Sequence, residues 1–199
     1  MMTATIAKLI WILGIVGWIA IRYPFQRKAR KRGVARSVGG TRDRSLLLIA
    51  AAGQFVIPIA YVIVSLATGA TLPGDYPFHP SQGWLGLAAV VVALILFRIT
   101  HKQLGKNWSV TLETRDAHTL VTDGVYRHVR HPMYSSFLMS AIAQVLLLPN
   151  WIVGPLGLLA LGILFFLRVE REEAMMIEEF GDQYRAYMQR TARIVPWLY

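Results

Sequence analysis

Long apolar runs separated by short polar segments set the pattern of this chain. An N-terminal run extends to Ile21, and two more cover residues 46–68 and 84–100. A fourth, residues 133–167, carries no charge but is too long for one helix, and Pro149-Asn150 divides it near its middle. A predominantly apolar stretch of about 20 residues is enough to cross the hydrocarbon of a bilayer. The pattern therefore predicts an all-α integral membrane protein with about five transmembrane helices, the last two forming a C-terminal helical hairpin.

The composition supports a membrane location. Of the 199 residues, 55% are hydrophobic and 16% are charged, whereas soluble domains carry about 25% charged residues. We expect one membrane-embedded domain, with three spans and a basic loop in residues 1–100 and the cofactor-binding and catalytic region in residues 101–199. The N-terminal run is preceded by little positive charge and followed by a dense basic cluster, the reverse of a signal peptide. We interpret it as a retained anchor.

The net charge of +10 is unevenly distributed, and its placement predicts an orientation. Residues 22–44 carry nine Lys and Arg against one acid, Asp43, whereas residues 69–83 carry no Lys or Arg and residues 98–131 carry six. Cytoplasmic loops hold the excess of Lys and Arg. We therefore expect the N-terminus and the 69–83 loop outside, and the other loops and the C-terminus in the cytoplasm. Basic segments beside apolar runs favour anionic lipid headgroups, and not nucleic acid, as their partner.

Several kinds of site find no support in the sequence. The chain has no cysteine, which excludes a disulfide framework, a thiolate nucleophile and a cysteine-based metal site. It also lacks the glycine-rich motifs of the dinucleotide-binding and ATP-binding folds. His128 and His131 are three residues apart but lack the further ligands of a zinc site. We expect no metal.

The segment between the third span and the hairpin gathers polar residues that favour a reaction site at the membrane surface. Residues 120–134 contain two His, two Arg and two Tyr. Pro132 suits the first turn of a helix and disfavours helical geometry at His131, and such a helix start can hold a carboxylate or phosphate. The same residue types are also common interfacial anchors. The first hairpin arm, residues 134–148, spans about 22 Å, less than the ~30 Å hydrocarbon. Either the bilayer is thinned around this arm, or the base of the arm sinks and draws this segment toward the membrane.

Across the hairpin, Arg168 and Glu172 are four residues apart and therefore share one helix face. One interpretation is a plain ion pair. The other is a divided site, in which Arg168 orients an anionic substrate and Glu172 contacts a cofactor, because a guanidinium at the end of an apolar run is costly without a partner or a function. Residues 170–190 then predict an amphipathic cytoplasmic helix with a break near Gly181.

The second half of the chain carries a series of polar and aromatic motifs: LGKNWS at residues 104–109, HTLVTDGVY at 118–126, RHPMY at 130–134, Arg168 with Glu172-Glu173, FGDQYRAY at 180–187 and RIVP at 193–196. In this order and spacing they resemble the isoprenylcysteine carboxyl methyltransferase family of integral-membrane enzymes. The resemblance covers about half of the chain. It is strongest to the small prokaryotic members with five spans, in agreement with the topology predicted from charge.

The resemblance implies S-adenosylmethionine as the methyl donor, entering from the cytosol, and a lipophilic acceptor from the bilayer, most simply the carboxylate of a prenylated cysteine. Arg168 matches the position that orients this carboxylate. The positions that match donor contacts are His118, Thr119, Leu120, Val121, Tyr126, His131, Pro132, Met133, Tyr134 and Glu172. Because a carboxylate is already ionised at pH 7, its methylation needs no general base.

Other functions stay open at the level of the sequence. Related membrane methyltransferases act on phospholipid amines or small thiols, although Arg168 is a poor neighbour for an amine acceptor. A sterol-type reductase would bind NADPH, and this chain is short for the spans that such enzymes carry. A non-enzymatic membrane protein would use its basic loop for anionic lipids and bind no soluble cofactor.

Overall fold

The computed structural model describes residues 2–29, 36–37, 40–105, 113–114 and 119–198. Its helices are α1 (Ala4–Ala29), α2 (Thr41–Ala51), a π-helical turn (Ala52–Val56), α3 (Ile57–Thr68), α4 (Pro80–Leu104), a 3₁₀ turn (Gly124–Arg127), α5 (Pro132–Leu147), α6 (Val153–Phe180) and α7 (Asp182–Gln189). Two short strands, β1 (Arg36–Ser37) and β2 (Glu113–Thr114), pair antiparallel.

Within the described residues, four helices, here called rods, are long and apolar enough to cross a membrane. They are α1, α4, α6 and the continuous helix Thr41–Thr68, which joins α2, the π-helical turn and α3. α5 has only 16 residues and is therefore about 24 Å long. Large apolar side chains on these rods point outward, and Leu13, Leu48 and Phe166 are 67%, 71% and 68% exposed. The architecture confirms the prediction of an all-helical membrane protein whose hairpin has one short arm.

Several helices extend beyond the apolar runs of the sequence, and two of these extensions lie in the basic segment of residues 22–44. α1 continues to Ala29, so Arg27 and Lys28 form its last turn, where cations face the negative end of the helix dipole. α2 begins at Thr41, well before its apolar run, and Asp43 in its first turn faces the positive end of the dipole. The basic loop expected over residues 22–44 is therefore helical at both of its ends.

The turn between α5 and α6 is tied to the connection between α3 and α4. Asn150 is buried, and its side-chain amide donates to the Pro73 carbonyl over 2.9 Å and to the Asp75 carboxylate over 2.8 Å. Desolvation raises the pKa of Asp75, but hydrogen bonds from Asn150, the Leu72 amide and the Tyr61 hydroxyl outweigh it and hold the pKa below its usual value. This network fixes the hairpin turn against one end of the helix bundle.

The opposite end of the bundle is closed by backbone pairing. β1 follows α1 and β2 follows α4, so their pairing brings the two basic connections of the chain together. The segment after α7 returns to the start of α5, where the Arg130 and His131 amides donate to the Ala192 and Arg193 carbonyls, each over 2.9 Å. The connections therefore alternate between the two ends of the bundle.

The continuous helix Thr41–Thr68, called the second rod, makes a close contact with α6. This contact sets the register of the two helices. A Cβ atom at Gly53 would lie 2.6 Å from the Ala160 Cβ atom and 2.9 Å from the Leu156 carbonyl oxygen. Glycine at this position lets the π-helical turn lie directly against α6. Counting from this contact toward the β1–β2 end, Asp43 on α2 and Arg168 on α6 both lie about 12–15 Å away. The two side chains therefore meet.

Candidate functional site

The candidate site lies at the β1–β2 end of the bundle, where α6 passes the start of α5. Pro132 occupies the first turn of α5, and the preceding His131 has φ −124° and ψ 58°, outside helical geometry. This conformation confirms the expected effect of the proline on its neighbour. It also turns the His131 ring toward α6, where Glu172 and Glu173 lie one after the other.

Arg168 is the centre of the first ionic cluster. Its side chain is almost buried, with the residue 7% exposed. The Arg168 Nε atom lies 2.8 Å from Glu172 Oε1 and 3.2 Å from Asp43 Oδ1. One guanidinium therefore faces two carboxylates, one from its own helix and one from the first turn of α2.

Glu172 connects this cluster to α5. The Tyr134 hydroxyl donates to Glu172 Oε1 over 3.1 Å, and His131 Nδ1 lies 3.6 Å from Glu172 Oε2. The Glu172 side chain keeps 19% exposure, whereas Arg168 and Tyr134 are buried. The carboxylate is thus held by three groups and is still open to the outside.

Glu173 is the centre of a second, more deeply buried cluster. The residue is 4% exposed, and its carboxylate lies 2.6 Å from Arg130 Nε, 3.0 Å from Arg193 Nη2 and 3.2 Å from His131 Nε2. Arg130 also donates to the Thr191 carbonyl. Since His131 touches both glutamates, the two clusters share one imidazole.

Three tyrosines form an aromatic layer beside these clusters. Tyr126, Tyr184 and Tyr187 are all buried, and partly buried Leu120 and Val121 pack against them. Burial raises the pKa of each phenol above its usual value, and for Tyr126 the nearby Tyr187 and Glu172 raise it further. The phenols therefore stay neutral, and the Tyr187 hydroxyl donates to the Tyr126 carbonyl over 2.6 Å.

The structure brings part of the sequence-predicted site together. Arg168, Glu172, Tyr134 and His131 are in direct contact, and Pro132 and Met133 lie on the same helix start. The remaining predicted residues divide as follows: Leu120, Val121 and Tyr126 belong to the aromatic layer, Thr119 is exposed, and His118 lies outside the described residues.

Sequence reasoning missed several members of the clusters. Arg130, Glu173 and Arg193 lie inside the motifs quoted above, but spacing alone gave them no role. Asp43 lies far from every motif. Its one signal is that it is the single acid in the basic segment of residues 22–44. Arg168, which Asp43 contacts, lies 125 positions further along the chain.

The chain is similar to known methyltransferases. A family model for the isoprenylcysteine carboxyl methyltransferase family matches residues 84–178. A rice protein named "Probable protein-S-isoprenylcysteine O-methyltransferase" is 25% identical over 167 residues, which are 83% of this chain and 87% of that protein. The human protein-S-isoprenylcysteine O-methyltransferase is 35% identical over 148 residues, 70% of this chain and 52% of its own length.

A solved structure is similar as well. The structure of a eukaryotic intramembrane Ras methyltransferase superposes with a TM-score of 0.56 and 27% sequence identity, over 76% of this chain and 52% of that chain. The chain thus spans about half the length of this structure and of the human relative, and most of the length of the rice relative.

Proposed function

We propose that this chain is a methyltransferase of the isoprenylcysteine carboxyl methyltransferase family, whose model matches residues 84–178, and that it transfers a methyl group from S-adenosylmethionine to the carboxylate of a prenylated cysteine. The observation that carries the proposal is the buried Arg168, which touches Glu172 while Glu172 touches Tyr134 at the start of α5. The position proposed to orient the acceptor and the positions proposed to contact the donor are therefore adjacent.

Arg168 is the residue that would hold the acceptor. Its guanidinium is permanently charged and presents donors in a planar fork that suits a carboxylate. Because the acceptor carboxylate is ionised at pH 7, the protein has no proton to remove. Its task is to align the attacking oxygen with the methyl carbon and to exclude water. The same positive charge disfavours an amine acceptor, which would need to reach the site uncharged.

The residues around Glu172 fit a donor that carries an amino-acid group. When bound, S-adenosylmethionine supplies an electrophilic methyl group on a positively charged sulfur. Glu172 offers a partly exposed carboxylate for a cation, and Tyr134 and His131 fix its orientation. Pro132 has no N–H group, and the Tyr134 and Ser135 amides donate to the His131 carbonyl, which leaves the Met133 N–H at the start of α5 to meet a carboxylate.

The remaining donor contacts are proposed from the family motif. His118, Thr119, Leu120, Val121, Tyr126, Pro132 and Met133 would complete the donor site, with the aromatic layer as its wall. A groove of about 590 Å³, lined in part by Arg130, Thr191 and Arg193, opens beside Glu173. None of the proposed donor contacts lines this groove, so it marks an open surface beside the second cluster and not the donor site itself. We infer that the donor enters at this end of the bundle, on the cytoplasmic side, and the acceptor enters from the bilayer.

The proposal is tested with detergent-purified protein and two alanine variants. We expect Glu172→Ala to weaken the binding of S-adenosylhomocysteine about tenfold or more, because a charge-assisted contact is lost. We expect Arg168→Ala to keep that binding but to lose at least 100-fold in methyl transfer to N-acetyl-S-farnesylcysteine. Calorimetry measures the first effect, and transfer of a radiolabelled methyl group measures the second.

Matched controls come from the same helix. Glu170 and Arg171 are exposed neighbours of the site, so Glu170→Ala and Arg171→Ala remove the same charges without touching either cluster. Both controls should behave as the unmodified protein does. Full turnover in Arg168→Ala, or unchanged binding in Glu172→Ala, would show that these residues do not have the proposed roles.

A further inference from the structure

Asp43 is a buried acid that the proposed mechanism does not use. It is 4% exposed, and its Oδ1 atom lies 3.2 Å from Arg168 Nε. Neither carboxylate oxygen accepts a hydrogen bond from any residue that the structure describes. Burying an ionised carboxylate without hydrogen bonds is costly. Asp43 is therefore held at this position by the charge of Arg168 and not by a fitted set of donors.

Two carboxylates compete for the same atom of Arg168. The Nε atom carries a single hydrogen. Both Glu172 at 2.8 Å and Asp43 at 3.2 Å approach this atom, and neither is aligned with it as a hydrogen-bond acceptor. Glu172 is closer and has further partners in Tyr134 and His131. Asp43 is consequently the weaker of the two, and the one that another carboxylate can replace.

We propose that Asp43 occupies the acceptor-carboxylate position of Arg168 in the free protein and leaves it when the acceptor binds. This inference rests on the proposed function, in which Arg168 holds the acceptor. If Asp43 stayed, the guanidinium would face three carboxylates in a buried setting, and like charges in close contact disfavour one another. Asp43 is thus a specificity-determining residue that acts through Arg168 and does not itself react.

The fold gives Asp43 a second place to go. It lies in the first turn of α2, whose N-cap is Gly40 and which receives no side-chain cap in the described part of the chain. The free N–H groups and the positive end of the helix dipole favour a carboxylate there. By a rotation about its side-chain bonds, the Asp43 carboxylate would leave Arg168 and reach the N–H groups at the start of α2.

This exchange would favour release of the product. The acceptor is an anion before methyl transfer and a neutral ester after it. Asp43 competes for Arg168 throughout, and the ester no longer carries the charge that displaced it. Return of Asp43 to Arg168 therefore accompanies departure of the ester, and the site distinguishes acid from ester by charge.

The test compares the affinities of an acid and its ester. N-Acetyl-S-farnesylcysteine and its methyl ester are titrated into the full-length protein in detergent, unmodified and as Asp43→Asn. If Asp43 holds Arg168 in about nine of ten free molecules, its removal tightens acid binding about tenfold. Ester binding and S-adenosylhomocysteine binding should stay unchanged, and the KM for the acid should fall without a matching fall in kcat.

Two further variants make the result decisive. Asp43→Ser removes the same charge with a smaller side chain and should also tighten acid binding. Asp182→Asn removes an exposed acid whose one ion pair among the described residues is with Arg185, and it should leave the ratio of acid affinity to ester affinity unchanged. The proposal is overturned if the ratio of acid affinity to ester affinity is unchanged or lowered in both Asp43 variants while S-adenosylhomocysteine binding is intact. Failure of the proposed function differs from this, because then the unmodified protein would neither bind S-adenosylhomocysteine nor methylate the acid.

Discussion

Glu172 and Glu173 are neighbours in the chain but meet different surroundings. Glu172 keeps 19% side-chain exposure and contacts one cation and one phenol closely, while Glu173 keeps 5% and lies among Arg130, Arg193 and His131. A buried carboxylate with several cationic partners ties together the segments that bring them. Here these are the start of α5, α6 and the segment after α7. Glu173 therefore holds these segments together, and Glu172, which is more exposed, is the one that contacts the donor in the proposed function.

Replacing the buried glutamate tests this division. In Glu173→Gln the cations lose their common anion, and breaking such a buried group costs about 3–5 kcal/mol. We expect a clear fall in the thermal unfolding midpoint, measured by tryptophan fluorescence in detergent. Glu179→Gln, at an exposed position of the same helix, should change the midpoint little. An unchanged midpoint in Glu173→Gln would mean that the cluster does not stabilise the fold.

At the residue scale, the sequence could indicate the groups that stand at the ends of apolar runs. Arg168, Glu172, His131 and Tyr134 all lie where a long apolar tract meets polar residues, and polar groups at such positions need a partner or a function. The role of Asp43 could not be found in this way. It depends on the packing of two helices whose register is set by Gly53 and Ala160, and no local pattern encodes that contact.

Among the elements, the second rod shows how one small residue controls a distant contact. Gly53 lies in the π-helical turn at the point where the rod touches α6, with a Cβ position only 2.6 Å from the Ala160 Cβ atom. Such a turn is frequent where a helix must deviate locally. Any side chain at residue 53 forces the rod and α6 apart, and the distance between Asp43 and Arg168 changes with them.

A pair of glycine variants tests this contact. Gly53→Ala should cost about 1–3 kcal/mol through overpacking and should also reduce methyl transfer, because the site is displaced. Gly162→Ala places the same methyl group on α6 where no atom lies within 4 Å, and it should be neutral or slightly stabilising. Thermal unfolding and turnover are measured for both. Equal behaviour of the two variants would contradict the proposed register.

The sequence predicted that the long helices exist, but it predicted less well where they begin and end. The apolar runs indicated each long rod and the short α5, because hydrocarbon thickness demands such runs. The ends of α1 and α2 extend into charged residues, since Lys28 and Asp43 suit the dipoles of the ends that they occupy. Pairing of β1 with β2 joins residues 36–37 to 113–114 and leaves no signal in segments this short.

For the whole molecule, the two ends of the bundle differ in chemistry. One end holds Asn150, Asp75 and the connection that lacks Lys and Arg, and the other holds the basic connections and both ionic clusters. The charge pattern predicts that the second end faces the cytoplasm. In the proposed function the donor is a cytosolic molecule. It can reach the site only if the end with the ionic clusters faces the cytoplasm.

The absence of cysteine from the chain allows a direct test of orientation. A single cysteine is introduced as Ala70→Cys at the first end or as Gln189→Cys at the second, both at exposed positions. In intact cells, a membrane-impermeant maleimide should label the first variant, and it should label the second only after lysis. The unmodified chain provides the blank. The reverse pattern would invert the predicted topology.

The short α5 has a consequence for how the protein meets its acceptor. α5 has 16 residues and Arg168 is the sixteenth residue of α6, so both arms reach the ionic clusters after about 24 Å, within the ~30 Å thickness of the hydrocarbon. In the proposed function, an acceptor anchored in the bilayer by its prenyl chain can therefore reach Arg168 without leaving the leaflet. For such a site the lipid is the solvent of one substrate, and occupancy follows the mole fraction of acceptor among the surrounding lipids. Diluting the acceptor with inert lipid then empties the site, even when its concentration in the whole sample stays the same.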